Sequence, residues 1–529
     1  MVNPSPQSAI NPTSLLSHLG VGNEVRIGTT SSSPFTGSPT FDEVPFHVDI
    51  NKRPNLGTYI LIQSDDCCMA HYGRITNGQE ENPRAEPSRL QQNQAYQVGQ
   101  QEPRQSDLSP HVTRVMMTEV LGQIYLEKGN LIIKDPEVLP QTGMSVYEFP
   151  VESIPTLLDA PKSKDDGLFL GHIESGGKKL EFFLPLDAPA RHMIILGKTG
   201  VGKSYASGVF VEEMIRHNIP VVAFDVLGDL IPATEYKQGR NLKAAHDFRL
   251  PYSVIGRREF LNFVSNLTND QEEIVGVAYE SIYAEAMDSL RTTGKLNTSF
   301  ERLIDEIGRV ANEFGQGAVG GRAVGKVQAA INRNPLLATN IGGWIEDIIN
   351  QPIVNIYVGH LGQSARNLVV GASARVLQLL RKEEKIPPFS FILDEAHFFL
   401  PGGAESTPST QVIREMIRTA RHDAVSIVLI TQSPSSMDRQ TLLVCNTRLV
   451  FALDPDDLRV VSGTLGDLPD ATLKRIPKLA RGKAILSSSQ DILRHPVLIK
   501  IRERETPAAA PTPNLSKAVQ QWRKENNQN

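Results

Sequence analysis

Between residues 44 and 150 the apolar positions come in short runs: VPFHVDI, GTYILIQ, AHYGRI, GQIYLE and NLIIKD. Turn residues break these runs. Short β-like segments in close succession predict a small barrel or sandwich, here a β-barrel domain over 44–160. A polar, glutamine-rich stretch at 80–107 interrupts it and reads as a loop inserted into the barrel. Ahead of it, residues 1–43 are rich in Ser, Pro, Gly, Asn and Thr with few apolar clusters. Such a segment has too little to bury to offset its ordering entropy, so it is expected to be disordered.

From residue 161 the pattern changes. FFLPL, HMIILG, VVAFDV, IVNIYVG, FSFILDE, SIVLITQ and RLVFALD are continuous apolar runs, and helical periodicity fills the ground between, as in SYASGVFVEEMIRHN. Strands without a polar face are strands covered on both sides, which predicts an α/β domain with a mainly parallel sheet over 161–505. Between about 240 and 345 no comparable strand series occurs. FERLIDEIGRVANEF and GGWIEDIIN carry helical spacing there and predict a helical insertion. Residues 506–529 read as a Pro/Ala linker and a short amphipathic helix.

Composition narrows the class without deciding it. The chain has 529 residues, 40% hydrophobic and 21% charged, enough for two or three ordinary domains. A net charge of −5 excludes an overall basic footprint for nucleic acid. Any such contact would come from local loops, or from a ring in which several copies pool a few cations. Three cysteines, of which Cys67 and Cys68 are adjacent, offer neither metal-ligand spacing nor a disulfide framework, so a reducing cytoplasm is expected. No apolar run reaches the ~18 residues of a membrane span.

The sharpest chemistry lies at Gly197, Lys198, Thr199, Gly200, Val201, Gly202, Lys203 and Ser204. This is the phosphate-loop spacing, with a strand before it and a helix after it. Glycines let backbone N–H groups curl around phosphates, and the helix N-terminus adds its positive dipole end. Lys203 is expected to reach the β and γ phosphates of ATP, and Ser204 to hold Mg²⁺. Downstream, FILDEA places Asp394 and Glu395 at the carboxyl end of a strand. Asp394 would orient the metal and Glu395 would polarise the attacking water. Gln432, after SIVLIT, would sense the γ-phosphate. Arg414, Arg418 and Arg421 fall at i, i+4 and i+7, a stripe that is either a solvated face or a device reaching into a neighbouring subunit.

Asp394 opens the tetrapeptide DEAH, but a DEAH-box helicase would also carry a Ser-Ala-Thr motif and a second motor domain in the same chain. Neither is visible. The ordered set ARHMIILGKTGVGKSY, FDVLGD, FILDEAHFFLP, IRTARHDAVSIVLITQSPSSMD and CNTRLVFAL resembles instead the HerA family, in the HerA–FtsK group of ring-forming ATPases. The resemblance implies a RecA-like P-loop core with a helical insertion and an N-terminal β-barrel. It also implies a homohexamer translocating double-stranded DNA in end processing or repair, with a NurA-like nuclease partner. Two other readings remain open: a phage-defence motor with a separate effector nuclease, and an ATP-gated scaffold. By the same resemblance Asp225 and Tyr205 lie near the nucleotide, Arg191 is a characteristic arginine ahead of the phosphate-loop strand, and Arg421, or Arg418, reaches a neighbour's site. FDVLGD departs from the family pattern at Leu227 and Asp229. Lys243, Arg257 and Arg258 are candidates for a channel lining.

Overall fold

The computed structural model describes residues 15–33, 36–49, 51–63, 68–81, 113–296, 298–339, 343–403, 408–463, 468, 470–508 and 515–526. The first sheet is built from β1 (Arg26–Thr30), β2 (Glu43–Val48), β3 (Tyr59–Gln63), β4 (Met69–Glu81), β5 (Thr113–Glu127), β6 (Asn130–Lys134) and β7 (Ser145–Glu148). Its order is β2-β1-β7-β3-β4-β5-β6, and β2 also pairs with β5. Six strands therefore close on themselves, leaving no open edge between them, while β6 hangs on β5. Ile27, Phe46, Ile60, Ile62, Ile75 and Val146 fill the interior.

The second sheet has eleven strands. They are β8 (Gly167–Ser175), β9 (Lys178–Pro185), β10 (Met193–Leu196), β11 (Val221–Asp225), β12 (Arg240–Lys243), β15 (Ile353–Tyr357), β16 (Ser390–Leu393), β17 (Ser426–Thr431), β18 (Thr447–Val450), β19 (Lys483–Ser487) and β20 (Val497–Ile501). A separate two-stranded pair, β13 (Leu250–Pro251) and β14 (Leu337–Ala338), lies in the insertion. The large sheet runs β12-β15-β11-β16-β17-β10-β18-β19-β20-β8-β9. From β12 to β18 every neighbour is parallel; from β18 to β9 every neighbour is antiparallel. The strand Met-Ile-Ile-Leu of β10 shows why the parallel part reads as unbroken apolar sequence. Ile194 and Leu196 enter the core on one face, Met193 and Ile195 the core on the other. The second of these cores runs on into Tyr59, Leu61 and Tyr72 of the barrel, so barrel and sheet share buried surface.

Helix α1 (Lys203–Arg216) follows the phosphate loop, and α2 (Asn269–Thr293), α3 (Phe300–Glu313) and α4 (Gly317–Arg333) form the insertion. Helix α2 starts at a capping box, Thr268 with Gln271, and stops at Gly294 in the left-handed conformation. Helices α5 (Gln363–Lys382) and α6 (Pro408–Thr419) complete the domain, and α7 (Leu515–Asn526) lies near the C-terminus. Among the described residues no helix is long and apolar enough to cross a membrane.

Several expected boundaries move. Residues 26–30, inside the stretch expected to be disordered, form β1 because Ile27 is buried in the barrel and the backbone pairs on both sides. Residues 1–14 lie outside the described residues, as do 82–107 of the polar loop, while 80 and 81 continue β4. The insertion begins after 243, since β12 is an edge strand pairing with β15. Residue 506 is not yet linker: Thr506 is buried against α1, as is Arg502 just before it.

Candidate functional site

The phosphate loop leaves β10 in the middle of the large sheet and turns directly into α1. Two glycines take backbone angles closed to other residues, Gly200 at φ +81° and Gly202 at φ +117°. Gly197 is needed for space, because a Cβ there would lie 2.7 Å from the Phe451 side chain. Lys198 donates its amide to Ala452 at 2.9 Å, tying the loop to the end of β18. Val201 is buried and accepts the Gly482 amide at 2.9 Å. Lys203 is 8% exposed and folds back to donate to the Lys198 carbonyl at 3.1 Å. Burial pushes its ammonium below the ordinary lysine range, opposed by the charges of Glu395, Asp394 and Asp229. An anion with that lysine would restore what burial removes.

The acidic pair sits at the carboxyl end of β16, two strands from β10 across β17. Asp394 accepts the Val226 and Leu227 amides, each at 3.3 Å. Burial first, then the neighbouring carboxylates Asp225, Glu395 and Asp229, push the Asp394 acid well above its usual range. Glu395 is held in the left-handed conformation at φ 46°, an uncommon state for a residue with a side chain. Its carboxylate is buried, with Oε2 3.3 Å from His397 Nδ1 and without a hydrogen bond of good geometry. His397 in turn lies 3.1 Å from the Thr431 hydroxyl. One residue on, Gln432 accepts from the Thr199 hydroxyl at 2.7 Å, a direct contact between the end of β17 and the phosphate loop. Gln432, Thr199, Lys203, Asp394 and Glu395 are thus brought together.

The chemistry of this donor set fits Mg²⁺. Ser204 and Asp394 are hard oxygen donors beside a carboxylate cluster that lacks enough positive charge. Among the described residues no group of three or more His, Cys, Asp or Glu is poised to hold a metal. A cation here would therefore share its coordination with a nucleotide's phosphates.

Two other expected site residues lie beside this group without facing it freely. Asp225 is fully buried and spent within its own loop, accepting the Gly228, Asp229 and Leu230 amides at 2.6, 3.2 and 3.0 Å. It shapes the loop after β11 and presents no free carboxylate to a ligand. Asp229, one of the positions that departs from the family pattern, is the carboxylate of that loop whose charge acts on Lys203 and Asp394. Tyr205 is half exposed, and its hydroxyl accepts the Arg504 amide at 2.6 Å. Arg504 went unnoticed in the sequence; its guanidinium lies over Gly208 and donates to the Ser204 carbonyl at 3.3 Å.

Arg191, Arg418 and Arg421 gather at the opposite end of the sheet. Arg191 precedes β10 and pairs with Asp491, with Ser489 accepting at 3.2 Å. His192, beside it, bonds to the Ile417 carbonyl of α6 at 2.8 Å. That contact pins the last turn of α6, and with it Arg418 and Arg421, at the amino ends of β10 and β17. The phosphate loop and Gln432 are at their carboxyl ends. The steps between the six residues of β17, at ~3.3 Å each, put roughly 17 Å between them, beyond the reach of an arginine side chain. Arg418 and Arg421 are exposed, whereas Arg414, the third of the stripe, pairs with Asp438 at 2.9 Å.

Comparison with known proteins matches residues 169–340 to the family described as Helicase HerA, central domain. The DNA double-strand break repair helicase HerA of Sulfurisphaera tokodaii is 23% identical over 66% of this chain and 71% of its own length. That of Saccharolobus solfataricus is 21% identical over 89% of this chain and 92% of its own. Among solved structures, VirB4 of Thermoanaerobacter pseudethanolicus superposes at a TM-score of 0.46, 16% identical over 65% of this chain and 97% of that one, too distant to bear on function. The match to the central domain falls on the phosphate loop and insertion just described, and the alignment to the Saccharolobus relative takes in most of the remaining chain, so residues 169–340 are similar to the central domain of the HerA helicases, on a P-loop ATPase fold.

Proposed function

We propose that this chain is the subunit of a homohexameric ring that hydrolyses ATP to move double-stranded DNA, in end processing or repair with a partner nuclease. The observation that carries the ring is the sheet's polarity: Arg421 stands a strand's length from its own phosphate loop, exposed and without an ion pair among the described residues. An arginine so placed completes a nucleotide site only in a neighbour. The relatives named as DNA double-strand break repair helicases support DNA as the substrate and a role in repair.

In this reading Gly197–Ser204 cradle the phosphates, Lys203 bridges the β and γ groups, and Ser204 and Asp394 would hold Mg²⁺. The metal when bound supplies Lewis-acid charge to the phosphate oxygens. Glu395 takes the proton of the water whose oxygen bonds the γ-phosphorus as the bond to the β-phosphate oxygen breaks. Gln432, held against the phosphate loop through Thr199, would contact the γ-phosphate and so report its presence. Arg421 of a neighbour neutralises transition-state charge.

Arg421→Ala should bind ATP like the wild type and lose turnover, by about 10³-fold or more on the scale of arginine fingers. Mixing Arg421→Ala with Lys203→Ala subunits should restore part of the activity, because each repairs the other's site. Wild-type turnover in Arg421→Ala, or no recovery in mixed oligomers, would sink the trans assignment.

A further inference from the structure

Where the barrel meets the antiparallel edge of the large sheet lies a cavity of about 100 Å³, a few water volumes in size. Strands β3 and β4 form one wall, β8, β19 and β20 the other, and Arg475 closes it. The charge on these walls is one-sided: Arg74, Arg475, Lys483 and Lys500 face Glu174 alone. Arg74 is committed to Glu119 at 3.2 Å, and Lys483 to Glu174 at 2.6 Å. Arg475 has no ion pair with a carboxylate among the described residues, while Lys500, an exposed side chain, makes no close ion pair and acts on Glu174 only through its charge. Burial, and after it the like charge of Arg74, pushes the Arg475 guanidinium below its ordinary range. Tyr59 lines the same cavity, 2% exposed, with its hydroxyl beside Arg74 but in no hydrogen bond of good geometry.

Cations in excess and a buried hydroxyl around one recess are a set of donors that lacks an acceptor. Left alone, the two guanidiniums repel each other in a poorly solvated place; a tetrahedral oxyanion would relieve that and satisfy the donors together. We propose that this recess binds a phosphate-class oxyanion, with Arg475, Lys500 and the Tyr59 hydroxyl as its donors, and that the bound anion fastens the barrel to the ATPase sheet. The site is separate from the phosphate loop. It sits on β19, β20 and β8, while the loop leaves β10, with β18 between.

The experiment is a calorimetric titration of the full chain saturated with a non-hydrolysable ATP analogue, so that the phosphate loop is filled. One arm uses inorganic phosphate and the other a short blunt DNA duplex, separating a free ion from a backbone phosphodiester. Saturable binding of inorganic phosphate, about one per chain, weakened about tenfold by Arg475→Ala and again by Lys500→Ala, is the expected result. Tyr59→Phe, which leaves the packing in place, should weaken it by a smaller factor. Duplex binding that falls in the same variants, with no effect of inorganic phosphate, would keep the site and assign it to the DNA backbone. No saturable binding of either probe, or binding indifferent to all three substitutions, would overturn the proposal.

Discussion

Replacing Arg502 by Met should destabilise this protein far more than removing any surface ion pair. Arg502 is 4% exposed and lies between two glutamates of α1 whose side chains are fully buried, with contacts of 2.8 Å to Glu212 and 2.7 Å to Glu213. Its Nε also donates to the Phe169 carbonyl at 2.9 Å. In the variant Glu213 keeps the Phe169 amide and Arg216, and Glu212 keeps the amide and hydroxyl of Thr506, but the cation between them is gone. Leaving a buried charge uncompensated costs about 3–5 kcal/mol, against about 0–1 kcal/mol for an exposed pair such as Arg459–Asp456. The assay is urea denaturation of the full chain, comparing Arg502→Met with Arg459→Ala. Acidity gives a second handle. Burial raises the Glu212 carboxyl, but hydrogen bonds from Thr506 and the charge of Arg502 hold it below the usual range. A depressed carboxylate contributes stability above its unfolded pKa and loses it as pH falls through the folded one. Without Arg502 that carboxyl moves up, so the deficit of the variant should be largest near neutrality and shrink as Glu212 protonates. A Met variant no weaker than Arg459→Ala, or a deficit that grows toward acid, would refute the counter-ion account.

Glu395→Gln should keep ATP binding and lose turnover by about 10²–10⁴-fold, measured by nucleotide titration and phosphate release. Gly202→Ala should weaken ATP binding through backbone strain of about 1–3 kcal/mol, since at φ +117° the added Cβ meets nothing nearer than 3.6 Å and sterics are not the cause. Burial, with Arg494 and Arg74 nearby, pushes His495 down to about 4, and its ring takes the Tyr72 hydroxyl at 2.7 Å. A base depressed on folding makes stability fall as pH drops from its unfolded value toward its folded one. Up to about 3 kcal/mol should therefore be lost between pH ~6.5 and ~4. His495→Gln should flatten that part of the melting profile.

Legibility followed burial. Strands buried on both faces announce themselves, and β10, β11, β15, β16 and β17 stand where continuous apolar runs predicted them. The antiparallel edge was harder, because β20 reads Val-Leu-Ile-Lys-Ile and β19 Lys-Ala-Ile-Leu-Ser, ordinary alternation in a polar neighbourhood. Strand β1 hid for the same reason, a single deeply buried isoleucine among Gly and Thr. At the site, residues adjacent to a strand's carboxyl end were readable because the motif and the strand end coincide. Asp225 was not, since nothing local says whether a carboxylate faces a ligand or caps its own loop. Arg504 could not be seen at all: it reaches the phosphate-loop helix from some 300 positions away in sequence.

That distance has a consequence for how the chain is made. Two carboxylates of α1 sit in the interior from the moment the helix packs; Arg216 of the same helix reaches Glu213, yet the guanidinium that serves both belongs to residue 502. During synthesis the nucleotide-binding helix gains its full set of counter-charges only once residue 502 has emerged. A chain released early would carry an intact phosphate loop on a helix that cannot settle. The charged clasp at 502–506 thus ties the settling of the ATP-site helix to residues some 290 positions further along the chain.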